Sequence, residues 1–331
     1  MLELDALAVD LIVQGRRRRV IHEVSLAVAV GEAVGLVGES GAGKSITCRA
    51  VIRLLPPSAT IHGDIRIQGR SVLAMDPAEL RALRLRDVAM IFQDPRAHIN
   101  PVRTIGNFLV EALTERGQTR AAAEQVVTGL LAAVGITDAA RRMRQYPHEL
   151  SGGLLQRVMI AAALAIEPKL LLADEPTTAL DVTTQSDVML NLDAQRRERG
   201  LAMLFVTHDL ELAAAVCDRI AVMYAGYLVE DSPAATLHAR ALHPYTAALL
   251  ASRPSASARS KRLTAIPGRP LSAFEVGAGC VFASRCAFAQ DRCQAERPAL
   301  RQVGAGRVAC HRVEEIHAEV SAPTSGTAGH D

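Results

Sequence analysis

The residues best equipped for chemistry stand at Gly38-Glu39-Ser40-Gly41-Ala42-Gly43-Lys44-Ser45, a stretch that fits G-x-x-x-x-G-K-[ST]. Glycines in such a stretch let successive backbone N–H groups turn inward onto phosphate oxygens, and the N-terminus of a following helix adds favourable partial charge. Lys44 would then reach the β- and γ-phosphates of a nucleotide, and Ser45 would ligate Mg²⁺. The chain has only three lysines, Lys44, Lys169 and Lys261, so one at the demanded position weighs against an incidental glycine turn. A second constellation, Asp174-Glu175, closes the apolar run Leu170-Leu171-Leu172-Ala173. Here the first carboxylate would hold Mg²⁺ through water and the second would face the attacking water as general base. Alone, an acidic pair after a strand reads as a helix cap or a solvated corner; the phosphate loop reverses that reading.

Such groups need rigid elements behind them. Ala33-Val34-Gly35-Leu36-Val37 is almost continuously apolar, as a buried parallel strand should be, and it runs through the glycine loop into a helix that ends before Pro56-Pro57. Met203-Leu204-Phe205-Val206 is a further apolar strand, closed by His208, so both later strands carry polar groups at the C-terminal edge where open parallel sheets bind ligands. Residues 1–30 alternate in short pieces broken by Gly15 and Gly31, predicting a small antiparallel sheet. From about 95 to 167 the composition is helical, punctuated by Gly117 and Pro147, and another helix is expected from Pro233 to Ala251. Beyond Ser252 the composition shifts to Ser, Pro, Gly, Arg and Cys. That sets a domain boundary near 252 and a tail at 318–331 expected to be disordered.

Composition excludes several functions. No apolar run reaches the roughly 18 residues needed to span a bilayer, the nearest being Val158 to Ile166. The N-terminus lacks a basic and then apolar leader, so the expected location is cytoplasmic. With 37 basic and 35 acidic residues and a net charge of +2, there is no electrostatic case for nucleic acid, and Arg16-Arg17-Arg18-Arg19 reads as a solvated hairpin tip. Aromatic residues make up only 3% and Trp is absent, which argues against a stacking platform for single strands.

Between the two motifs lies Leu150-Ser151-Gly152-Gly153-Leu154-Leu155-Gln156-Arg157, followed by a helical pattern. At this point the chain resembles an ABC transporter nucleotide-binding domain, and the resemblance extends to Gln93 in Ile91-Phe92-Gln93-Asp94-Pro95. It also takes in Thr178-Ala179-Leu180-Asp181 and His208 in Val206-Thr207-His208-Asp209. These five ordered motifs cover about residues 1–251. The resemblance implies an α/β fold: a P-loop ABC ATPase core with an antiparallel β subdomain and a helical subdomain at about 95–167. It implies that Ser151, Gly152 and Gly153 close over the γ-phosphate held by a second subunit in a head-to-tail dimer. It further implies that Gln93 contacts Mg²⁺ or the water and senses a transmembrane partner, that His208 bonds the γ-phosphate, and that Asp181 links the two composite sites. Two departures stand out. Leu154 occupies a signature position where many members have Gln, and no aromatic residue precedes Phe92, so Leu11 or a neighbour must cover the base and base selectivity is expected to be loose.

After the core come His243-Pro244-Tyr245-Thr246, Gly268-Arg269-Pro270 and cysteines 280, 286, 293 and 310, resembling the C-terminal extension of oligopeptide and dipeptide importer ATPases, here placed at 252–317. The implied setting is the cytoplasmic face of the membrane, with a second ATPase subunit, two permeases and an external binding protein, and no nucleic acid. The implied activity is ATP hydrolysis coupled to peptide import, with nickel or another small solute as alternative cargo. A soluble ABC ATPase of DNA repair or translation, or a regulatory module without turnover, are the competing readings. Cys280, Cys286, Cys293 and Cys310 fall in C-x₅-C-x₆-C-x₁₆-C spacing, which in a reducing compartment suggests a metal or cluster rather than disulfides. Some members of the resembled family carry [4Fe–4S] there; Zn²⁺ and unligated buried thiols remain open. Cys48 and Cys217 read as core residues.

Overall fold

The computed structural model describes residues 1–177, 182–237, 239–252 and 266–316. Two sheets organise these residues. The first is antiparallel, in the order Arg16–Val28, Leu2–Val13, Thr60–Ile67, Arg70–Ser71. The expectation of short N-terminal pieces is corrected: the first two strands run 12 and 13 residues. Gln14 and Gly15, at φ 52° and 75°, make a two-residue turn with both φ positive, whose twist matches the flanking strands, so pairing resumes at once at Val13 and Arg16. Arg16, Arg17 and Arg19 are exposed beside that turn.

The second sheet has eight strands among the described residues, in the order Arg301–Val303, Gly306–Val308, Tyr227–Pro233, Arg219–Tyr224, Ala33–Val37, Ala202–Thr207, Leu170–Asp174, Val88–Ile91. The last five are parallel. Ala33–Val37, Leu170–Asp174 and Ala202–Thr207 are buried at every position, which explains why they read as apolar runs instead of alternating ones. Successive residues still face opposite ways. Val37, Leu171, Ala173, Met203 and Phe205 join a core with the helical layer. Val34, Leu36, Leu172, Leu204 and Val206 join a core with the antiparallel sheet and the helix Lys44–Val51. Each fully buried Leu or Val contributes about 1.5–3 kcal/mol, so the central strands are fixed from both faces.

The region expected to be helical contains Pro95–His98, Ile105–Glu115, Arg120–Ala133, Ala139–Arg142 and Gly152–Ala165. Thr104 and Thr119 cap their helices by accepting the N–H of Asn107 and Ala122. Buried Ile105, Leu109, Val110 and Leu113 form the inward stripe of one helix, and Ala123, Val127, Leu130 and Leu131 that of the next. The single helix expected from Pro233 to Ala251 is two, Ala234–Leu237 and Pro244–Ala251. Pro244 has no N–H to continue a helix but suits the first turn of a new one, which His243 caps by accepting the Tyr245 N–H at 3.0 Å. Among the described residues no helix is long and apolar enough to cross a membrane. Residues 301–308 of the C-terminal segment add two strands to the edge of the main sheet. The expected tail at 318–331 lies outside the described residues.

Candidate functional site

The central strand Ala33–Val37 delivers the chain to the glycine loop, and the helix Lys44–Val51 leaves from it. A Cβ on Gly38 would stand 2.2 Å from the Met223 carbonyl oxygen, so the loop can leave the sheet this tightly only with glycine. Gly43, at φ 104°, is in the left-handed region, and a Cβ there would meet Ile21 Cδ1 at 2.5 Å. Lys44 is 5% exposed, and its Nζ donates to the carbonyls of Gly38 at 2.8 Å and Glu39 at 3.1 Å. Its ammonium is thereby held across the loop. Burial lowers its pKa, against the opposing pull of Glu175 and Asp174.

Ser45 Oγ donates to Asp174 Oδ1 at 2.7 Å, joining the loop to the end of the strand Leu170–Asp174. Asp174 is fully buried, and burial raises its pKa, partly offset by the Ser45 hydrogen bond. Its Oδ2 accepts no hydrogen bond among the described residues, and Arg49 Nε lies 3.9 Å away. A buried carboxylate oxygen beside a serine hydroxyl is an oxygen donor set of the kind Mg²⁺ prefers, so these residues fit that ion.

Glu175 follows directly with φ 46°, an uncommon backbone for a residue with a side chain. Its N–H bonds the Val206 carbonyl at 2.9 Å, which turns the side chain out of the sheet edge. Gln93 Nε2 donates to Glu175 Oε2 at 3.0 Å, His208 Nδ1 lies 3.5 Å from the same oxygen, and Lys44 Nζ lies 3.9 Å from Oε1. Three side chains from motifs far apart in sequence therefore converge on one carboxylate. That arrangement can hold a water beside an anchored phosphate and take its proton.

The signature stretch opens a helix that packs into the helical layer. Ser151 caps the helix Gly152–Ala165, accepting the Leu154 N–H at 3.3 Å, and Gly152 and Gly153 form that helix's first turn. Among the described residues no hydrogen bond or ion pair joins Ser151, Gly152 or Gly153 to the phosphate loop or to Glu175. Asp181 lies outside the described residues. Leu11, expected near the base, pairs with Arg18, whose guanidinium lies over the Phe274 ring at 5.6 Å.

Cys280, Cys286, Cys293 and Cys310 all line one cavity, with His243 and Phe282. Burial pushes the Cys286 thiol up to about 11 and raises Cys280 and Cys310 as well. No group of three or more His, Cys, Asp or Glu among the described residues could hold a metal ion, so the geometry does not support the iron–sulfur or zinc expectation. Cys48 and Cys217 are buried in the two cores.

One contact escaped sequence reasoning. Glu39, inside the phosphate loop, is paired with Arg285, 246 positions later, and its N–H donates to the Tyr245 hydroxyl at 2.9 Å. No local pattern marks a partner at that separation.

Comparison with known proteins agrees with this geometry. Residues 21–178 match the family described as ABC transporter, and residues 229–293 match the oligopeptide/dipeptide transporter C-terminal region. The chain is 41% identical over 315 residues to the dipeptide transport ATP-binding protein DppD of Escherichia coli, covering 94% of this chain and 96% of that protein. It is 40% identical over 299 residues to the oligopeptide transport ATP-binding protein OppD of Salmonella typhimurium, covering 89% of each. Among solved structures it is similar to the dimeric cassette MJ0796, with a TM-score of 0.65 and 26% identity over 71% of this chain and 99% of that one. A post-hydrolysis dimer of the same cassette bound to ADP and Pi matches at a TM-score of 0.63 and 27% identity, over 71% of this chain and 99% of that one.

Proposed function

Because this chain belongs to the ABC transporter ATP-binding family, whose members hydrolyse ATP, and to its oligopeptide/dipeptide branch, we propose that it powers a peptide importer through the site described above. The carrying observation is the convergence of Lys44, Gln93 and His208 on Glu175, beside the Ser45–Asp174 pair.

The roles follow from position. The amides of residues 38–45 and Lys44 anchor the triphosphate. Ser45 and Asp174 would hold Mg²⁺, with Gln93 nearby, and the ion would supply charge neutralisation to the phosphates when bound. Glu175 accepts the proton of the attacking water, Gln93 orients both, and His208 donates to the γ-phosphate. Ser151, Gly152 and Gly153 present a hydroxyl and a helix N-terminus to the nucleotide of a second ATPase subunit, and Asp181 belongs to the linkage between the composite sites. The dimeric state of MJ0796 supports that arrangement for this fold. Residues 1–251 form the motor and 252–317 its extension, working on the cytoplasmic face against two permeases fed by an external binding protein. The repair, translation and regulatory readings gain nothing from the relatives, which are transport ATPases.

The test is ATP-driven uptake by proteoliposomes carrying this chain, its permeases and its partner ATPase. Peptide-stimulated, Mg²⁺-dependent hydrolysis is expected; hydrolysis indifferent to peptide in the fully assembled system would move the cargo to another solute class.

A four-thiolate iron–sulfur ligation would require the four cysteines, which line one cavity, to draw closer together than they stand, since no three of them are placed to hold an ion. With that ligation, an anaerobic preparation should absorb near about 400 nm and contain about four irons per chain, and Cys293→Ser should lower both. A colourless, iron-free protein with normal transport would end this reading.

A further inference from the structure

Glu39 is the one charged side chain among the variable positions of the phosphate loop, and a carboxylate is a poor neighbour for a triphosphate. The fold deals with it from the C-terminal extension. Arg285 Nη1 donates to Glu39 Oε2 at 2.7 Å and Arg285 Nη2 to Oε1 at 3.2 Å, a two-pronged pair whose arginine side chain is 3% exposed. The guanidinium is itself held in place. Its Nε donates to the Pro267 carbonyl at 2.8 Å and its Nη1 to the Tyr224 hydroxyl at 3.2 Å, and it lies over the rings of Tyr224 and Phe282, which pack edge to face on each other and against Tyr245. Tyr245 in turn accepts the Glu39 N–H at 2.9 Å. Both the backbone and the side chain of Glu39 are thus fixed, on one side by the helix Pro244–Ala251 and on the other by a residue of the extension. Lys44 completes the frame by bonding the Glu39 carbonyl at 3.1 Å.

We propose that Arg285 is a positioning residue for ATP binding: through its fork onto Glu39 it holds the first half of the phosphate loop in the cradling conformation and neutralises the carboxylate within the loop that would repel the triphosphate. The extension, on this account, is part of the nucleotide site instead of an appendage to it. Burial works against the charge on Arg285, yet its bonds to Glu39 and Tyr224 outweigh that and leave the guanidinium more firmly protonated than in water. A lysine could keep the charge but not the fork, and a glutamine neither.

This inference rests on the reading that the loop binds Mg-ATP, and the test separates the two. ATP hydrolysis by the assembled transporter is measured for the wild type, Arg285→Gln, Arg285→Lys and the double variant Arg285→Gln/Glu39→Gln. Arg285→Gln should raise the KM for ATP by about tenfold or more, with kcat falling by less than KM rises. Arg285→Lys should give a smaller rise, and the double variant should regain part of the loss because the repelling carboxylate is gone. A wild-type KM in Arg285→Gln, or a double variant no better than Arg285→Gln alone, would overturn the proposal and leave Arg285 as scaffolding. If Arg285→Gln fails to fold by circular dichroism, Arg285→Lys decides: a raised KM supports the role and an unchanged one removes it. Absence of Mg-ATP turnover in the wild type would instead break the underlying reading of the loop.

Discussion

Glu175→Gln should bind Mg-ATP as tightly as the wild type, hydrolyse it about 100- to 10,000-fold more slowly, and accumulate as a closed dimer with ATP in both sites. Lys44 and the loop amides, proposed to anchor the phosphates, are held mainly by the loop itself: Lys44 Nζ is 2.8 Å from the Gly38 carbonyl but 3.9 Å from Glu175. Glutamine keeps the size of the side chain and an oxygen that can still accept from Gln93 Nε2, now at 3.0 Å. What it loses is the capacity to take a proton from water. Phosphate release in single-turnover experiments, together with ATP retained per dimer after gel filtration, reads both halves of the prediction. Turnover at the wild-type rate would remove Glu175 as the base.

Ser151→Arg should abolish hydrolysis and transport in the assembled system, by about 100-fold or more, while leaving nucleotide affinity of the isolated chain unchanged. The separation within the chain is the reason. The Ser151 hydroxyl caps its own helix and has no bonded connection to the phosphate loop among the described residues, whereas Ser45, Asp174, Glu175, Gln93 and His208 are tied together within a few ångströms. On the proposed arrangement Ser151 serves a nucleotide held by another subunit, so its loss should spare binding in the isolated chain. Fluorescent-nucleotide binding to the isolated chain, compared with hydrolysis in the complex, distinguishes the two sites of action. Loss of binding in the isolated chain would place the signature in cis.

Much of the site was legible because its parts are local. The strand, glycine loop and helix around Lys44 announce themselves in one short stretch, since a parallel strand buried on both faces must be apolar throughout and the loop leaving it must be glycine-rich. Asp174, Glu175 and His208 could be placed at the sheet edge because each follows such a strand. Errors came where local signals were weak. The hairpin of residues 2–28 carries bulges between Leu4 and Asp10, which break strict alternation and made two long strands look like fragments. The break between Ala234–Leu237 and the helix beginning at Pro244 is weakly marked in the sequence, since helical composition continues on both sides of the proline. The Arg285–Glu39 pair was invisible for a different reason: ion pairs across 246 residues leave no periodicity, and only the fold brings them together. The cysteines were legible as a cluster, since they do share a cavity, but spacing alone does not fix whether their thiols approach closely enough to hold an ion.

The central claim is that this chain's own loop grips the triphosphate while its partner's signature turn closes over it. It is tested most directly by a structure of the Glu175→Gln assembly with Mg-ATP. Lys44 Nζ should lie at the β- and γ-oxygens of a nucleotide whose γ-phosphate also meets the signature serine of the opposite subunit. A nucleotide bound with Lys44 outside its pocket, or contacted by Ser151 of the same chain, would contradict it.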